Sequence, residues 1–144
     1  MHSHAPAPLF EKIDCLRLPV PDLEAGLAFY RDRLGHQLIW QTATAAGLRM
    51  PETDAELVIH TELRAADTDL VVASADDAAA EIAREGGRVL VAPFDIPIGR
   101  CAVVEDPFGN RLVVLDGSKG RLVTDADGMV VTDAAGAPQV EPRE

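Results

Sequence analysis

The chain repeats one order of structural signals, and this duplication limits the folds that it can adopt. In each copy an apolar strand runs into a helix-capping residue, an amphipathic helix, a glycine that ends the helix, and further strands. The caps are Asp22 and Ser74, which lie 52 residues apart, and the helices end at Gly35 and at Gly86 and Gly87. A repeat of this length predicts two similar modules around a shared core.

Each module is predicted to have the order βαβββ. Alternation of apolar and polar residues predicts the strands, and turn-forming residues predict where they end. The predicted strands are residues 11–20, 37–41, 45–50, 56–61, 69–73, 88–92, 100–105 and 111–115. We expect module one to span residues 9–64 and module two to span residues 65–118.

Weaker patterns lie outside the two modules. Residues 1–8 and the small, polar stretch from Ala134 are predicted to be disordered. Residues 119–144 form a C-terminal extension in which segments 121–124 and 129–132 predict a hairpin. A lone two-stranded hairpin is marginal in water, so this one is expected to be weak unless it packs on another element.

The composition excludes several classes of partner. A formal net charge of -11 and a pI near 4.7 are unfavourable for binding nucleic acid or an anionic membrane. No apolar run approaches the roughly 18 residues of a membrane helix, and residues 1–8 lack the pattern of a signal peptide. The two cysteines are expected to be free thiols, which together with these absences predicts a cytoplasmic protein.

Three segments carry a family resemblance. They are IDCLRLPVPDLEAGLAFYRDRLG (residues 13–35), TDLVVASADDAAAEIAREGG (68–87) and EDPFGNRLVVL (105–115). Together they resemble the vicinal oxygen chelate superfamily, which includes glyoxalase I, extradiol dioxygenases, fosfomycin-resistance enzymes and bleomycin-binding proteins. The resemblance covers about residues 11–116. It implies an α+β fold in which two tandem βαβββ modules form a cup-shaped mixed sheet with helices on the outer faces.

The resemblance also implies where a metal would be sought. Metal-dependent members place His, Gln or Glu on the first and last strands of each module, and these positions fall at Cys15, Val58, Asp67 and Val113. A slip of one or two residues in the alignment would put Asp69 in place of Asp67. Valine has no lone pair to offer, so we expect the metal site to be absent and the protein to need no cofactor. The alternative is a rebuilt site, because His60 shares strand parity with Val58 and could join Cys15 and Asp67.

Strand alternation predicts which side chains face the cup. The candidate ligand-binding residues lie on that face or at its mouth, where an aromatic ring could stack on a planar ligand. They are Cys15, Arg17, Trp40, Val58, His60, Asp67, Asp69, Phe94, Val113 and Leu115. The loop over residues 93–99 is expected to influence specificity.

Arg17 has two interpretations, since an unpaired guanidinium inside the cup is unfavourable. It either forms an internal salt bridge, for which the repeat-equivalent Asp69 is the expected partner, or it binds an anionic group of the ligand through a bidentate contact. Its charge could also favour a Cys15 thiolate and make that residue a nucleophile, although a buried structural thiol is the commoner role.

Three functions are consistent with these residues. The first is a metal-independent binding protein of the bleomycin-resistance kind, whose acidic body favours a cationic compound. The second is a lyase, isomerase or dioxygenase with the rebuilt metal site, and the third is a metal-free enzyme that polarises its substrate with Arg17. We also expect a homodimer, because open sheet edges favour a second chain. The identity of the ligand and any exchange of modules between chains stay open.

Overall fold

Eight strands form one curved mixed sheet in the computed structural model, which describes residues 7–142. The strands are β1 Lys12–Pro19, β2 Leu38–Gln41, β3 Ala45–Arg49, β4 Glu56–His60, β5 Asp67–Val71, β6 Arg88–Ile96, β7 Gly99–Glu105 and β8 Arg111–Leu115. Their order across the sheet is β2-β3-β4-β1-β5-β8-β7-β6. The predicted α+β fold of two βαβββ modules is therefore confirmed. The prediction of disorder for residues 1–8 falls mostly outside the described residues, since these begin at residue 7.

The two modules are built alike and meet at their first strands. In each module the first strand pairs in parallel with the last one, β1 with β4 and β5 with β8. The helix and strands between them give the chain room for such a parallel connection. The first strands, β1 and β5, pair antiparallel with each other and join the modules into one sheet.

Each helix begins at the predicted cap. Helix α1, Leu23–Leu27, and helix α2, Ala75–Arg84, begin after Asp22 and Ser74, whose side chains accept first-turn N–H groups at 2.7 Å and 3.1 Å. Capping satisfies N–H groups that have no partner within the helix. The sequence signals therefore fix where each helix starts.

The first helix does not keep its regular period. After Leu27 it continues as a π-helical turn over Ala28–Arg33, in which the N–H of Leu34 donates to the carbonyl of Phe29. The wider turn shifts the helix face, so the apolar residues of this amphipathic helix are only partly buried. Leu23 and Leu27 are buried, whereas Leu34 and Phe29 are 53% and 45% exposed.

The sheet has a helix-covered face and an open face. Helix α1 packs on a cluster that includes Leu57 and Ile59, and helix α2 packs on a cluster that includes Val114. A third buried cluster joins Cys101, Val103, Val113 and Leu115. Val113 and Val114 belong to different clusters because neighbouring residues of a strand point to opposite faces.

Strand β6 forms one edge of the sheet and is exposed along most of its length. Phe94 lies in this strand and is 40% exposed, so the segment that we expected to be a loop from residue 93 is strand as far as Ile96. The homodimer stays a prediction. Among residues 7–142 no strand pairs with the outer side of β6, and a second chain could pair there. Within residues 7–142, neither helix has the length and apolar composition required to cross a bilayer.

The C-terminal extension folds back onto the sheet. Its strands β9, Arg121–Leu122, and β10, Val140–Glu141, pair antiparallel, and between them Thr124 pairs with Val130. Gln41 of β2 donates to Gly128 at 2.8 Å and accepts from Val130 at 2.9 Å. The hairpin is thus attached to module one, which provides the packing partner that an isolated hairpin lacks.

Asp116 ties helix α2 to the sheet and to the start of the extension. Its buried carboxylate accepts backbone N–H groups of Ala75, Arg100 and Ser118 at 2.8, 3.0 and 3.2 Å. Burial alone would raise the pKa of Asp116, but these donors hold it below its usual value. The charged form is therefore the one that the fold stabilises.

We expect Asp116→Ala to lower the free energy of unfolding by roughly 3 kcal/mol, because three N–H groups lose their acceptor. Urea denaturation at neutral pH measures the loss. Asp127→Ala, which removes an exposed carboxylate, is the control and should leave stability almost unchanged. Equal effects of the two substitutions would show that Asp116 does not hold these elements together.

Candidate functional site

The open face of the sheet carries a cavity of about 560 Å³, which we call the cup. Six of the ten predicted residues line the cup, and they come from β1, β2, β4 and β5. These six are Cys15, Arg17, Trp40, Val58, His60 and Asp69. Asp67 lies beside the cup as the partner of Arg17, Val113 and Leu115 are buried in the cluster with Cys101, and Phe94 is not among the lining residues.

Strand register arranges the lining residues and their partners on neighbouring strands in two rows across the sheet. One row runs from Trp40 through Gly47, Val58 and Arg17 to Asp67. The other row runs from Glu56 through Cys15 and Asp69 to Val113. Residues that are paired across strands have their side chains on the same face and within contact distance. The rows therefore bring together groups that are 50 and 54 residues apart in sequence.

Arg17 forms an internal salt bridge, but its main partner is Asp67. Its Nε and Nη2 atoms each donate to one carboxylate oxygen of Asp67 at 2.8 Å. Asp69 Oδ1 lies 3.5 Å from Nε, where the attraction is ionic. The expectation that Asp69 is the chief partner was wrong, because the antiparallel register places Arg17 opposite Asp67. The bidentate contact raises the pKa of Arg17 and lowers that of Asp67.

A bulge in β1 adds a carboxylate to the cup. The register of β1 shifts between Ile13 and Cys15, and Asp14 lines the cup although strand parity would turn it to the other face. Ligand atoms of Asp14, Cys15 and Asp69 all lie within 4.8 Å of one another. Strand alternation could not reveal Asp14, because a bulge breaks the period of two.

Asp69 is the buried centre of this group. It is 6% exposed, and its Oδ2 accepts a weak hydrogen bond from Cys15 Sγ at 3.5 Å. Its Oδ1 is buried and accepts no hydrogen bond from the described residues. Burial raises the pKa of Asp69 to about 6, an effect that Arg17 opposes and Asp67 reinforces. Asp69 is thus a carboxylate that still lacks a donor.

Cys15 does not have the properties of a nucleophile. Burial raises its thiol pKa, and the nearby charges of Asp69 and Asp14 raise it further. Arg17, whose charge we expected to favour the thiolate, is already paired with Asp67. Burial also raises the pKa of Cys101 to about 11. Both cysteines are therefore neutral thiols at physiological pH.

Trp40 forms a wall of the cup because the residue beside it is glycine. Its Nε1 donates to Glu56 at 2.5 Å, and a Cβ added at Gly47 would lie 2.0 Å from that nitrogen. Burial raises the pKa of Glu56, whereas the Trp40 hydrogen bond opposes this shift. Only glycine at position 47 leaves room for the indole ring in this position.

The residues do not form the alternative metal site. His60 lines the cup, but its Nδ1 is already engaged, because it accepts the backbone N–H of Glu62 at 3.0 Å. Asp67 is held by Arg17. Among residues 7–142, the group whose ligand atoms lie close enough together to share a metal is Asp14, Cys15 and Asp69, which offers one thiol and two carboxylates. This group differs from the four positions that the family resemblance implies and from the alternative set of Cys15, His60 and Asp67.

Removing Arg17 should expose the electrostatic cost of its surroundings. Arg17→Ala leaves Asp69 without its cation and Asp67 with only the 4.0 Å contact of Arg111, and we expect a loss of roughly 2 to 3 kcal/mol in the free energy of unfolding. Adding Asp67→Asn should restore much of the loss, because one of the two stranded charges disappears. Urea denaturation of the single and double variants provides the measurement. A double variant as unstable as the single one would contradict this account of the pair.

Comparison with known proteins relates this geometry to a family. The family model of the Glyoxalase/Bleomycin resistance protein/Dioxygenase superfamily matches residues 12–114. Comparison with curated proteins gives no match.

Solved structures share the fold at low sequence identity. Methylmalonyl-CoA epimerase from Mycobacterium tuberculosis is 17% identical with a TM-score of 0.63, over 78% of this chain and 92% of that chain. Homoprotocatechuate 2,3-dioxygenase from Brevibacterium fuscum is 27% identical with a TM-score of 0.59, over 78% and 38%. A Mn(II)-bound glyoxalase from Novosphingobium aromaticivorans is 18% identical with a TM-score of 0.56, over 73% and 37%. The family match and the shared fold together show that the chain belongs to the Glyoxalase/Bleomycin resistance protein/Dioxygenase superfamily.

Proposed function

We propose that the protein binds a small organic cation, with at least one amine N–H, in the cup and without a metal. The observation that carries this proposal is the Oδ1 atom of Asp69, which is buried and accepts no hydrogen bond from the described residues. Leaving such an oxygen without a donor is unfavourable. An ammonium group would supply both the missing hydrogen bond and the opposite charge.

The charges around Asp69 favour the same class of ligand. Asp14 and Glu56 also line the cup, so it contains three carboxyl groups, and we call the part of the cup that they line its floor. Arg17, the cation that lies 3.5 Å from Asp69, donates two hydrogen bonds to Asp67 and is therefore largely neutralised. A net charge of -11 adds a long-range attraction for cations.

The rest of the cup is suited to the organic part of such a ligand. Its volume lies in the range of small-molecule sites, and its walls include Val58, Ile98, Leu122 and Trp40. Apolar walls with a few convergent polar groups are typical of ligand pockets. The amine would thus be held at the floor while the hydrocarbon body contacts the walls.

Metal independence is part of the proposal and rests on the residues at the inherited positions. Val58 and Val113 have no donor atom, and Asp67 is already engaged by Arg17. Metal analysis of protein purified without a histidine tag tests this part. A stoichiometric transition metal that survives dialysis would reject it.

A second candidate is a metal-free enzyme that uses Arg17 as electrophile. The observation that favours it is the proximity of Asp69, whose pKa of about 6 suits a general base and which lies 3.5 Å from Arg17. Such an enzyme would remove a proton next to a carbonyl group that Arg17 polarises. Conversion of a bound compound into a product would distinguish this enzyme from a binding protein.

A matched panel of compounds tests the binding function. Primary amines should raise the melting temperature of the protein, because ligand binds only the folded state, whereas alcohols and carboxylates of the same shape should not. Isothermal titration of the best amine then gives its affinity. Stabilisation by the carboxylates instead of the amines would contradict the proposal and would favour an anion site at Arg17.

Asp69→Asn should abolish amine binding while stabilising the free protein. The folded state raises the pKa of Asp69 to about 6, so the ionised side chain lowers stability at neutral pH by about 2 to 3 kcal/mol. This penalty is absent below about pH 4 and complete above pH 6, since a group with a raised folded-state pKa loses its favourable contribution as pH rises through that value. Amine affinity should rise over the same interval, because the carboxylate is the form that binds.

Urea denaturation and titration calorimetry between pH 4 and 8 measure both effects. Asp127→Asn, which changes an exposed carboxylate, is the control and should alter neither quantity. An Asp69→Asn variant that is less stable than the parent and still binds amines would show that Asp69 is a structural residue.

A further inference from the structure

Residues 119–142 cross one side of the cup, and we call this segment the strap. At its start, the N–H of Lys119 donates to the carbonyl of Ile98, in the turn between β6 and β7 of module two. Further along, Gly128 and Val130 exchange hydrogen bonds with Gln41 of β2 in module one. The strap therefore spans from one module to the other, outside the region 12–114 that the family model matches.

The strap contributes part of the cup wall between these two attachments. Arg121, Leu122 and Thr124 line the cavity together with Ile98. Arg121 is held by a contact of 2.8 Å from its Nε to Glu141, and Leu122 pairs with Val140 across the β9–β10 hairpin. The side chains that face the ligand are thus fixed by the hairpin behind them.

We propose that the strap is the selectivity element of the cup, in which Leu122 limits the length of the hydrocarbon part of the ligand. This inference rests on the proposed function for the ligand class, since the amine at Asp69 fixes one end of the molecule. Coverage of the cup by the strap does not depend on the ligand.

Two similar turns in the strap provide a matched pair of variants. The backbone carbonyl of Asp125 accepts the N–H of Gly128, and the backbone carbonyl of Asp133 accepts the N–H of Gly136. The two glycines have φ values of 82° and 85°. A Cβ at Gly128 would lie 3.2 Å from Leu38 of β2, whereas a Cβ at Gly136 would meet nothing within 4 Å. Valine is equally strained in both turns, but only at position 128 does it also push the strap away from β2.

Quenching of Trp40, the chain's single tryptophan, by acrylamide measures coverage of the cup without any ligand. Gly128→Val should roughly double the quenching constant, because local detachment of the strap opens the cup, while Gly136→Val should leave it unchanged. Circular dichroism shows whether each variant is folded. Equal quenching in the two folded variants would overturn coverage by the strap. If Gly128→Val does not fold, Leu122→Ala should raise the quenching constant above that of Val140→Ala, and equal values would overturn the proposal.

Affinities for n-alkylamines from butylamine to decylamine measure selectivity. Leu122→Ala should shift the preferred length upward, with a gain of about fourfold for each methylene newly accommodated. Val140→Ala keeps the backbone pairing with Leu122 and shortens a side chain that does not line the cup, so it should keep the parent preference. The same preferred length in both variants would overturn selection by Leu122. If the unaltered protein binds no alkylamine, the proposed function fails, and the quenching result still decides whether the strap covers the cup.

Discussion

The antiparallel pairing of β1 with β5 is the interaction on which the rest of the structure depends. It joins two modules that would each leave a strand edge open, and it makes one continuous sheet of eight strands. The same pairing sets Arg17 opposite Asp67 and Cys15 opposite Asp69. A shift of one residue would turn these side chains towards the helices and would place charges in the apolar clusters. Register, core packing and the composition of the cup are therefore fixed together.

Electrostatics inside the cup follow from this register. The Arg17–Asp67 pair is internally satisfied through two hydrogen bonds, and it leaves Asp69 with an ionic contact at 3.5 Å and a weak hydrogen bond from Cys15. A carboxylate that is buried and short of donors lowers the stability of the free protein. Strain of this kind is common at binding sites, where a ligand supplies the missing partner.

Val58 and Val113 stand at two positions where the family resemblance implies metal ligands, and neither side chain has a donor atom. Val58 pairs with Arg17 and Val113 pairs with Asp69, so an apolar side chain stands next to each of these two charged groups. The neighbouring apolar groups exclude water and strengthen any charged contact that forms there. An arrangement of apolar walls around a few charged groups suits recognition of an organic ion.

Much of the architecture could be read from local sequence. Asp22 and Ser74 begin the helices, and the 52-residue offset between them reflects the repeated module, because capping and strand alternation act over a few neighbouring residues. The lack of a donor atom at Val58 and Val113 is likewise a property of the residues themselves. Tertiary structure decided the partner of Arg17, the entry of Asp14 into the cup, the exposure of Phe29 and the docking of the strap on Gln41. These features depend on a strand register, a bulge, a π-helical turn and pairing between distant segments, and none of them has a periodic signal in the sequence.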